Sequence, residues 1–280
     1  MTMNILVTLD SNYVPPLCTM LQTLLAAHPR RQMRIFVAHS SLTECDFAVI
    51  RRVCAGHPAE VVPVFLKDDF FENAPRCGRI TKETYYRLFA PVYLPEDVER
   101  VLYIDPDTIV LNPLDAFYDL DFGEAVFAGA GHLGRFLTSF NRTRLHMKRT
   151  KAYLNAGVLL MNIAALRETF NAADIYNFIR KNERILWQAD QDVINGLYDG
   201  RIIVLDGNVI NLDERLFTRV RLACGGDLHR ALALVETGTM IVHFDGKYKP
   251  WKPGYRGYLN RYYPYETYNQ ALTHRAGVAF

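Results

Sequence analysis

The sharpest chemical signal in this sequence is the carboxylate pair of Asp105-Pro-Asp107, which directly follows the apolar run at 100–104. Residues i and i+2 of an extended chain lie on the same side, so both carboxylates can face one cation. Two hard anionic oxygens suit Mg²⁺ or Mn²⁺, and such an ion could bridge a diphosphate and neutralise its charge. Because Asp-x-Asp also arises by chance in surface loops, the groups around it decide its meaning.

Several other polar groups occur where the pattern predicts the ends of strands or the faces of helices. Asp10 and Asn12 follow the first strand and could hydrogen-bond a nucleobase or ribose, while Tyr13 could stack on the base. Arg87 lies in a predicted helix and His243 ends a strand. Taken singly, each has a structural interpretation: Arg87 as a surface ion pair and His243 as a buried core histidine.

Hydrophobic periodicity predicts the elements that must position these groups. Apolar runs predict strands at 4–9, 33–38, 60–66, 100–104, 157–161 and 240–244, and apolar residues at helical spacing predict helices at 14–27, 42–54, 164–181 and 190–197. This alternation predicts an α/β fold with a parallel, doubly wound sheet. Such sheets bind ligands beyond the carboxyl ends of their strands, where Asp105 and Asp10 are found.

Composition limits the class of protein and its location. The 280 residues are 50% hydrophobic and carry a net charge of +2, which is too small for a general nucleic-acid binder, so no nucleic-acid partner is expected. The five cysteines form no CxxC pair and favour a reducing compartment. No apolar run approaches the ~20 residues that span a bilayer. With no signal-peptide pattern at the start of the sequence, we expect a cytoplasmic protein.

Together and in this order, the motifs resemble retaining glycosyltransferases of family 8, which include bacterial lipopolysaccharide galactosyl- and glucosyltransferases and glycogenin. The resemblance covers residues 3–255. It implies a GT-A fold, a Rossmann-like doubly wound mixed sheet in one domain. It also implies transfer of a hexose from UDP-glucose or UDP-galactose to a glycan or glycolipid acceptor, with Mn²⁺, or alternatively Mg²⁺, as the cofactor.

The resemblance also assigns roles to residues. Metal ligation falls on Asp105, Asp107 and His243. Donor binding falls on a larger set, namely Thr8, Asp10, Asn12, Tyr13, Arg87, Asp105, Asn155, Asp190, Gln191, Gly246 and Lys249. Asp190 would hold hydroxyls of the donor sugar, and Gln191 would lie nearest the anomeric carbon. Since an amide is a poor nucleophile, attack by the acceptor on the same face as the departing phosphate is favoured over a covalent glycosyl-enzyme.

Two other functions fit part of the pattern. A haloacid-dehalogenase-like phosphatase also carries Asp-x-Asp-Thr after an apolar strand, with the first Asp as nucleophile and the second as acid/base. That motif normally lies on the first strand, whereas Asp105 follows several predicted elements and the pair Asp68-Asp69. An inactive nucleotide-sugar-binding scaffold is the other alternative, although a scaffold would not need three metal ligands.

Two basic regions suggest where an acceptor or a membrane could bind. No carboxylate occurs between Glu124 and Glu168, and this interval carries Arg135, Arg142, Arg144, Lys148, Arg149 and Lys151. It is either a solvated loop, an acceptor region for an anionic glycan, or a contact with anionic lipid. After a domain over residues 1–250, residues 251–280 form a basic, Tyr-rich tail. That tail either packs on the domain or contacts the inner face of the membrane peripherally.

Overall fold

The computed structural model describes residues 2–67, 75 and 82–277, so Asp68, Asp69 and Cys77 lie outside the described residues. Nine strands follow one another along the described chain: β1 (Met3–Thr8), β2 (Met33–His39), β3 (Ala59–Phe65), β4 (Arg100–Ile104), β5 (Thr108–Val110), β6 (Phe127–Gly131), β7 (Leu154–Asn162), β8 (Ile202–Asp206) and β9 (Ile241–His243). Seven of them form one sheet in the order β3-β2-β1-β4-β7-β6-β8, and β5 pairs with β9 in a separate two-stranded ladder.

Helices cover both faces of the sheet. They are α1 (Val14–Ala27), α2 (Glu44–Cys54), α3 (Lys82–Leu88), α4 (Ala90–Tyr93), α5 (Asp115–Tyr118), α6 (Arg135–Arg144), α7 (Ile163–Thr169), α8 (Ala172–Asn182), α9 (Ala189–Leu197), α10 (Gly207–Ile210), α11 (Glu214–Ala223), α12 (Leu228–Gly238) and α13 (Tyr265–Gly277). Helix α1 begins with two prolines, whose fixed φ suits a first helical turn. Helix α2 begins with a capping box between Thr43 and Asp46.

The sheet is mixed, as the family resemblance implies, whereas the alternating pattern alone predicts a parallel sheet. Strand β7 runs antiparallel to both β4 and β6, while β1 is parallel to β2 and β4. The predicted helix at 164–181 is wrong as one element. Phe170 is extended, and the Asn171 side chain accepts the backbone N–H of Ala173, so the chain ends α7 and caps a new helix, α8. Apolar spacing continues across this break and conceals it.

Three hydrophobic clusters hold these layers together. One buries a face of the sheet against α1 and α2, and a second buries the opposite face against α3, α7, α8 and α9. A smaller cluster joins the β5-β9 ladder to α11 and α12. The two large clusters fix the sheet, and the small one fixes the ladder beside the end of β4.

The C-terminal residues pack on the rest of the chain. Leu259 and Tyr263 are buried in the small cluster, and Ala271 of α13 is buried against α1 and α2. Trp251 stacks on Tyr268 with ring centroids 6.0 Å apart. Several of the tyrosines that suggested a membrane contact therefore take part in internal packing.

Two negative findings apply to the described chain. The cysteines at positions 18, 54 and 224 are free thiols. Within residues 2–67 and 82–277, no helix is long and apolar enough to cross a membrane.

Candidate active site

The carboxylates predicted at the end of β4 lie beside His243. One ligand atom from each of Asp105, Asp107 and His243 can be chosen so that all three lie within 4.8 Å of one another. His243 Nε2 is 3.2 Å from Asp107 Oδ1 and 3.8 Å from Asp105 Oδ2. The antiparallel register of β5 and β9, which pairs Thr108 with His243, brings together residues that are far apart in sequence.

A chain of hydrogen bonds fixes the tautomer of His243. The backbone N–H of Gly157 donates to Asn155 Oδ1, and Asn211 Nδ2 donates to the same oxygen, at 2.9 and 3.0 Å. Asn211 Oδ1 is therefore left to accept from His243 Nδ1, 3.1 Å away. This bond places a proton on Nδ1, so Nε2 faces the two carboxylates. A metal-binding histidine is oriented in this way, with its other ring nitrogen donating to an oxygen.

The electrostatics of the cluster suit a cation. Burial opposes a charge on His243, but Asp107 raises the pKa of this imidazole above its usual value. Burial would raise the pKa of the Asp107 carboxyl, yet His243 and Lys249 hold that pKa well below its usual range. Lys249 Nζ lies 2.5 Å from Asp107 Oδ2. Two carboxylates and one imidazole form a donor set that fits Mn²⁺, because nitrogen ligands are less suited to Mg²⁺.

Arg87 joins this cluster to the start of α9. Its guanidinium pairs with Asp105 Oδ1 at 3.1 Å and donates to the carbonyl of Ala156 at 2.6 Å. It also lies 4.1 Å from the centroid of the Tyr103 ring. A fourth contact, from Nε to Asp190 Oδ2, is an ion pair of 2.8 Å without hydrogen-bond alignment, so neither of these two buried atoms has a hydrogen-bond partner. Unsatisfied buried polar groups of this kind can bind a polar ligand.

A cleft of about 290 Å³ lies over these residues. It brings together seven of the predicted site residues, namely Thr8, Asp10, Tyr13, Arg87, Asp105, Asp107 and Asp190. Tyr103, which the sequence analysis missed, lines it as well and donates its hydroxyl to Asp105 Oδ1. This tyrosine belongs to an ordinary apolar strand, and nothing in the local sequence signals its role.

A second cleft of about 270 Å³ contains two more of the predicted residues. Asn155 and Gln191 line it, together with His132 and Asp245, which the sequence analysis did not assign to a site. His132 is buried, which lowers its pKa to about 4, and neither ring nitrogen has a hydrogen-bond partner. Since Asp190 lines the first cleft and Gln191 the second, the start of α9 separates the two.

Three predicted donor-binding residues line neither cleft in the described part of the chain: Asn12, Gly246 and Lys249. Asn12 donates its backbone N–H to Asp10 Oδ1 at 2.8 Å. Gly246 is exposed, and Lys249 is held by Asp107 and by the carbonyl of Phe244. Binding of a donor by these residues stays a prediction.

Asp192, two residues after Asp190, has a structural role. Its carboxylate is fully buried, pairs with Arg144 at 2.7 Å, and accepts the hydroxyl of Tyr153 and the backbone N–H groups of Trp187 and Gln188. Successive helical residues are rotated by about 100°. Residues i and i+2 therefore point in nearly opposite directions, so Asp190 faces the cleft and Asp192 faces the core.

Asp192→Asn is expected to lower the free energy of unfolding by about 3 kcal/mol, because it leaves the Arg144 guanidinium without its counterion. Urea unfolding measures this change. Asp174→Asn, at an exposed position of α8, is the matched control and should stay within about 0.5 kcal/mol of the parent. Equal stability of the two variants would contradict the structural role of Asp192.

Comparison with solved structures identifies the fold. The chain superposes with a TM-score of 0.80 on the crystal structure of the galactosyltransferase LgtC in complex with donor and acceptor sugar analogs. The superposition covers 96% of each chain, and the two sequences are 23% identical. The mixed sheet and its helices therefore form a GT-A fold, as the resemblance implied.

Sequence comparison identifies the family. The profile of Glycosyl transferase family 8 matches residues 4–253, and the chain belongs to this family of transferases. It is 24% identical over 277 residues to General stress protein A of Bacillus subtilis, covering 96% of this chain and 94% of that protein. It is 22% identical to the lipopolysaccharide 1,3-galactosyltransferase of Salmonella typhimurium over 254 residues, 89% of this chain and 72% of that protein. The phosphatase alternative disagrees with both the family and the fold.

Proposed function

We propose that this protein is a metal-dependent, retaining hexosyltransferase that moves glucose or galactose from a UDP-sugar to a glycan or glycolipid acceptor. One observation carries the proposal: the cluster of Asp105, Asp107 and His243 lies in the same region as two clefts that adjoin at Asp190 and Gln191. Transfer requires a donor and an acceptor on either side of one reacting carbon. Two adjoining clefts beside a cation site provide this arrangement.

The first cleft is the proposed donor site. Asp105, Asp107 and His243 would hold Mn²⁺, and the ion would supply positive charge for the leaving diphosphate, whose negative charge grows as the anomeric C–O bond breaks. Tyr13 lines this cleft and would contact the base. A cation shared by the carboxylates would weaken the hold of Asp107 on Lys249, which could then bind the diphosphate.

The second cleft is the proposed acceptor site. Gln191 lines this cleft next to Asp190 of the first, and its Oε1 accepts the backbone N–H of Ala156 at 3.1 Å, which fixes the amide. A fixed amide is a poor nucleophile, so we propose that an acceptor hydroxyl attacks on the face from which the phosphate departs. The leaving phosphate accepts the hydroxyl proton. Asp190, with one oxygen unsatisfied, would hold a donor hydroxyl.

UDP is expected to bind at least about tenfold more tightly with Mn²⁺ than with EDTA, because diphosphate oxygens and the Asp105–Asp107 pair repel each other unless a cation lies between them. Isothermal titration calorimetry measures both affinities, and Mg²⁺ in place of Mn²⁺ compares the two ions. Equal affinity with and without metal would contradict the proposed site.

The same preparation distinguishes the transferase from an inactive scaffold. In the absence of acceptor, a panel of nucleotide sugars should show slow hydrolysis to UDP and hexose that depends on Mn²⁺. Asp190→Asn serves as the matched variant, since its side chain is proposed to contact the sugar and not the nucleotide. The UDP affinity of this variant should stay within about threefold of the parent value, which is less than ~0.7 kcal/mol of binding free energy. Its rate of hydrolysis should fall. Tight UDP binding without any hydrolysis would indicate a scaffold.

A further inference from the structure

Helix α6 exposes apolar side chains at the mouth of the second cleft. The exposed fractions are 83% for Phe136, 49% for Leu137 and 42% for Phe140. Leu137 and Phe140 line the cleft, whereas Phe136 points away from it into solvent. Three exposed apolar residues within five positions of one helix form a patch, and such patches indicate a binding surface.

Trp187 extends this patch beyond the helix. Its ring stacks on Phe140 with centroids 5.4 Å apart and planes inclined by 28°, and 49% of the residue is exposed. The Arg144 guanidinium lies 4.8 Å from the Trp187 ring centroid, which ties the ring to α6. We call Arg135, Phe136, Leu137, Phe140 and Trp187 the α6 surface.

The charge near the α6 surface is mainly positive, with Asp199 beside residues 148–150 and Asp245 in the second cleft as nearby acids. No Asp or Glu occurs from 125 to 167, and Arg135, Lys148, Arg149 and Lys151 are exposed there. The segment at 180–184, which precedes Trp187, adds three cations against the single acid Glu183. Exposed aromatic and aliphatic side chains among cations suit the headgroup region of an anionic bilayer. A second copy of the same surface would bring like charges together, which disfavours self-association.

We propose that the α6 surface docks this protein on an anionic phospholipid bilayer, with Phe136 and Leu137 entering the headgroup region. This inference deepens the proposed function, since it rests on the second cleft being the acceptor site. The cleft opens along Leu137, Phe140 and Trp187. A sugar held near Gln191 and carried on a lipid would then have its anchor directed towards the bilayer. The acceptor class that fits is an amphiphilic glycolipid.

Flotation with vesicles tests the docking without any donor or metal. At low salt, the protein should bind vesicles of equimolar phosphatidylcholine and phosphatidylglycerol, and should not bind pure phosphatidylcholine. Phe136→Ser should weaken the binding about tenfold, and Arg135→Gln about fivefold. Leu222→Ser, at a position 71% exposed on α11, is the matched control and should stay within twofold. Arg256→Gln with Arg261→Gln tests the C-terminal segment in the same way.

Tryptophan quenching locates the contact. The sequence has two tryptophans, and Trp251 packs against Tyr263 and Tyr268. Brominated phosphatidylglycerol should therefore quench the fluorescence of Trp187, and Trp187→Phe should abolish that quenching. Calorimetry with UDP and Mn²⁺ should give the same affinity for Phe136→Ser as for the parent, so loss of docking and failure of the donor site are distinguishable.

Three results would overturn the inference. The first is no binding of the parent protein to anionic vesicles at low salt. The second is a loss of vesicle binding for Leu222→Ser equal to that for Phe136→Ser, or a loss of vesicle binding only in the variant with Arg256→Gln and Arg261→Gln. The third is a parent protein that self-associates at micromolar concentration, becomes monomeric on Phe136→Ser and ignores vesicles, which would make the surface a protein interface.

Discussion

Replacing Asp107 by Asn is expected to reduce hexose transfer at least about a thousandfold while the protein stays folded. A thousandfold corresponds to ~4 kcal/mol of transition-state stabilisation. The reason is electrostatic: the Asp107 carboxylate contacts both His243 and Lys249, and an amide in its place removes an anionic ligand from the cation site. The charge of the leaving diphosphate is then uncompensated at the moment when it grows. Asp105→Asn should act in the same direction.

The measurement is initial-rate transfer or donor hydrolysis with Mn²⁺ across a range of metal concentrations, with circular dichroism to confirm folding. Asp97→Asn is a suitable control, because this carboxylate pairs with Arg34 on the surface just before the start of β4, whereas the cluster lies beyond the end of that strand. Exposed pairs of this kind contribute little. Activity of Asp107→Asn within about tenfold of the parent, equivalent to ~1.4 kcal/mol, would show that the pair does not hold a catalytic ion.

Much of the fold could be predicted because its information is local. The helix at 14–27 and the strand at 100–104 agree with α1 and β4 to the residue, since apolar periodicity and flanking turns define them. The direction of β7 could not be predicted in this way. A strand that is buried on both faces has the same composition whether its neighbours run parallel or antiparallel. Only the path of the connecting chain determines the direction of the strand.

The residues of the candidate site also divide into those that local sequence reveals and those that only the fold reveals. Asp105 and Asp107 were recognisable because a strand end and a two-residue spacing are local features. His243 was assigned by family resemblance, and the structure explains it through the register of β5 and β9. Asn211 and Tyr103 act through partners: Asn211 reaches Asn155 across 56 residues of chain, and the Tyr103 hydroxyl reaches that of Thr8 across 95. No local pattern carries a contact of that separation, so these positioning residues emerge only from the fold.

The basic regions show what composition leaves open about location. Tyrosines next to lysines and arginines in 251–280 predict a membrane contact; Tyr263 packs against neighbouring rings, whereas Tyr258 and Tyr265 are 45% and 38% exposed, so this contact stays a prediction. Helix α6 also exposes Phe136 and Leu137. Sequence shows that aromatic and basic residues occur together, whereas burial shows which of them solvent or lipid can reach.

The absence of a side chain at Gly157 of β7 is as important to the cluster as its ligands. A Cβ at this position would lie 2.2 Å from His243 Cε1 and 2.8 Å from Asp105 Oδ2, closer than atoms approach in folded proteins. The backbone does not require glycine, since its φ is not in the left-handed region. The Gly157 N–H also starts the hydrogen-bond chain that orients His243. Gly157→Ala should therefore displace two ligands without removing any.

We expect Gly157→Ala to lower Mn²⁺ affinity by about ten- to a hundredfold, as loss of ligand orientation does in metal sites, and transfer by a comparable factor. Mn²⁺ binding, followed by electron paramagnetic resonance, reports this directly. Gly238→Ala is the matched control, because a Cβ there meets nothing within 4 Å. If the clash acts through the imidazole, Gly157→Ala should cause little further loss of Mn²⁺ affinity in a protein that already carries His243→Ala. If the two effects are independent, their losses should be additive in free energy. Full Mn²⁺ affinity in Gly157→Ala would mean that the ion lies elsewhere, because the alanine methyl and the present positions of His243 and Asp105 cannot coexist.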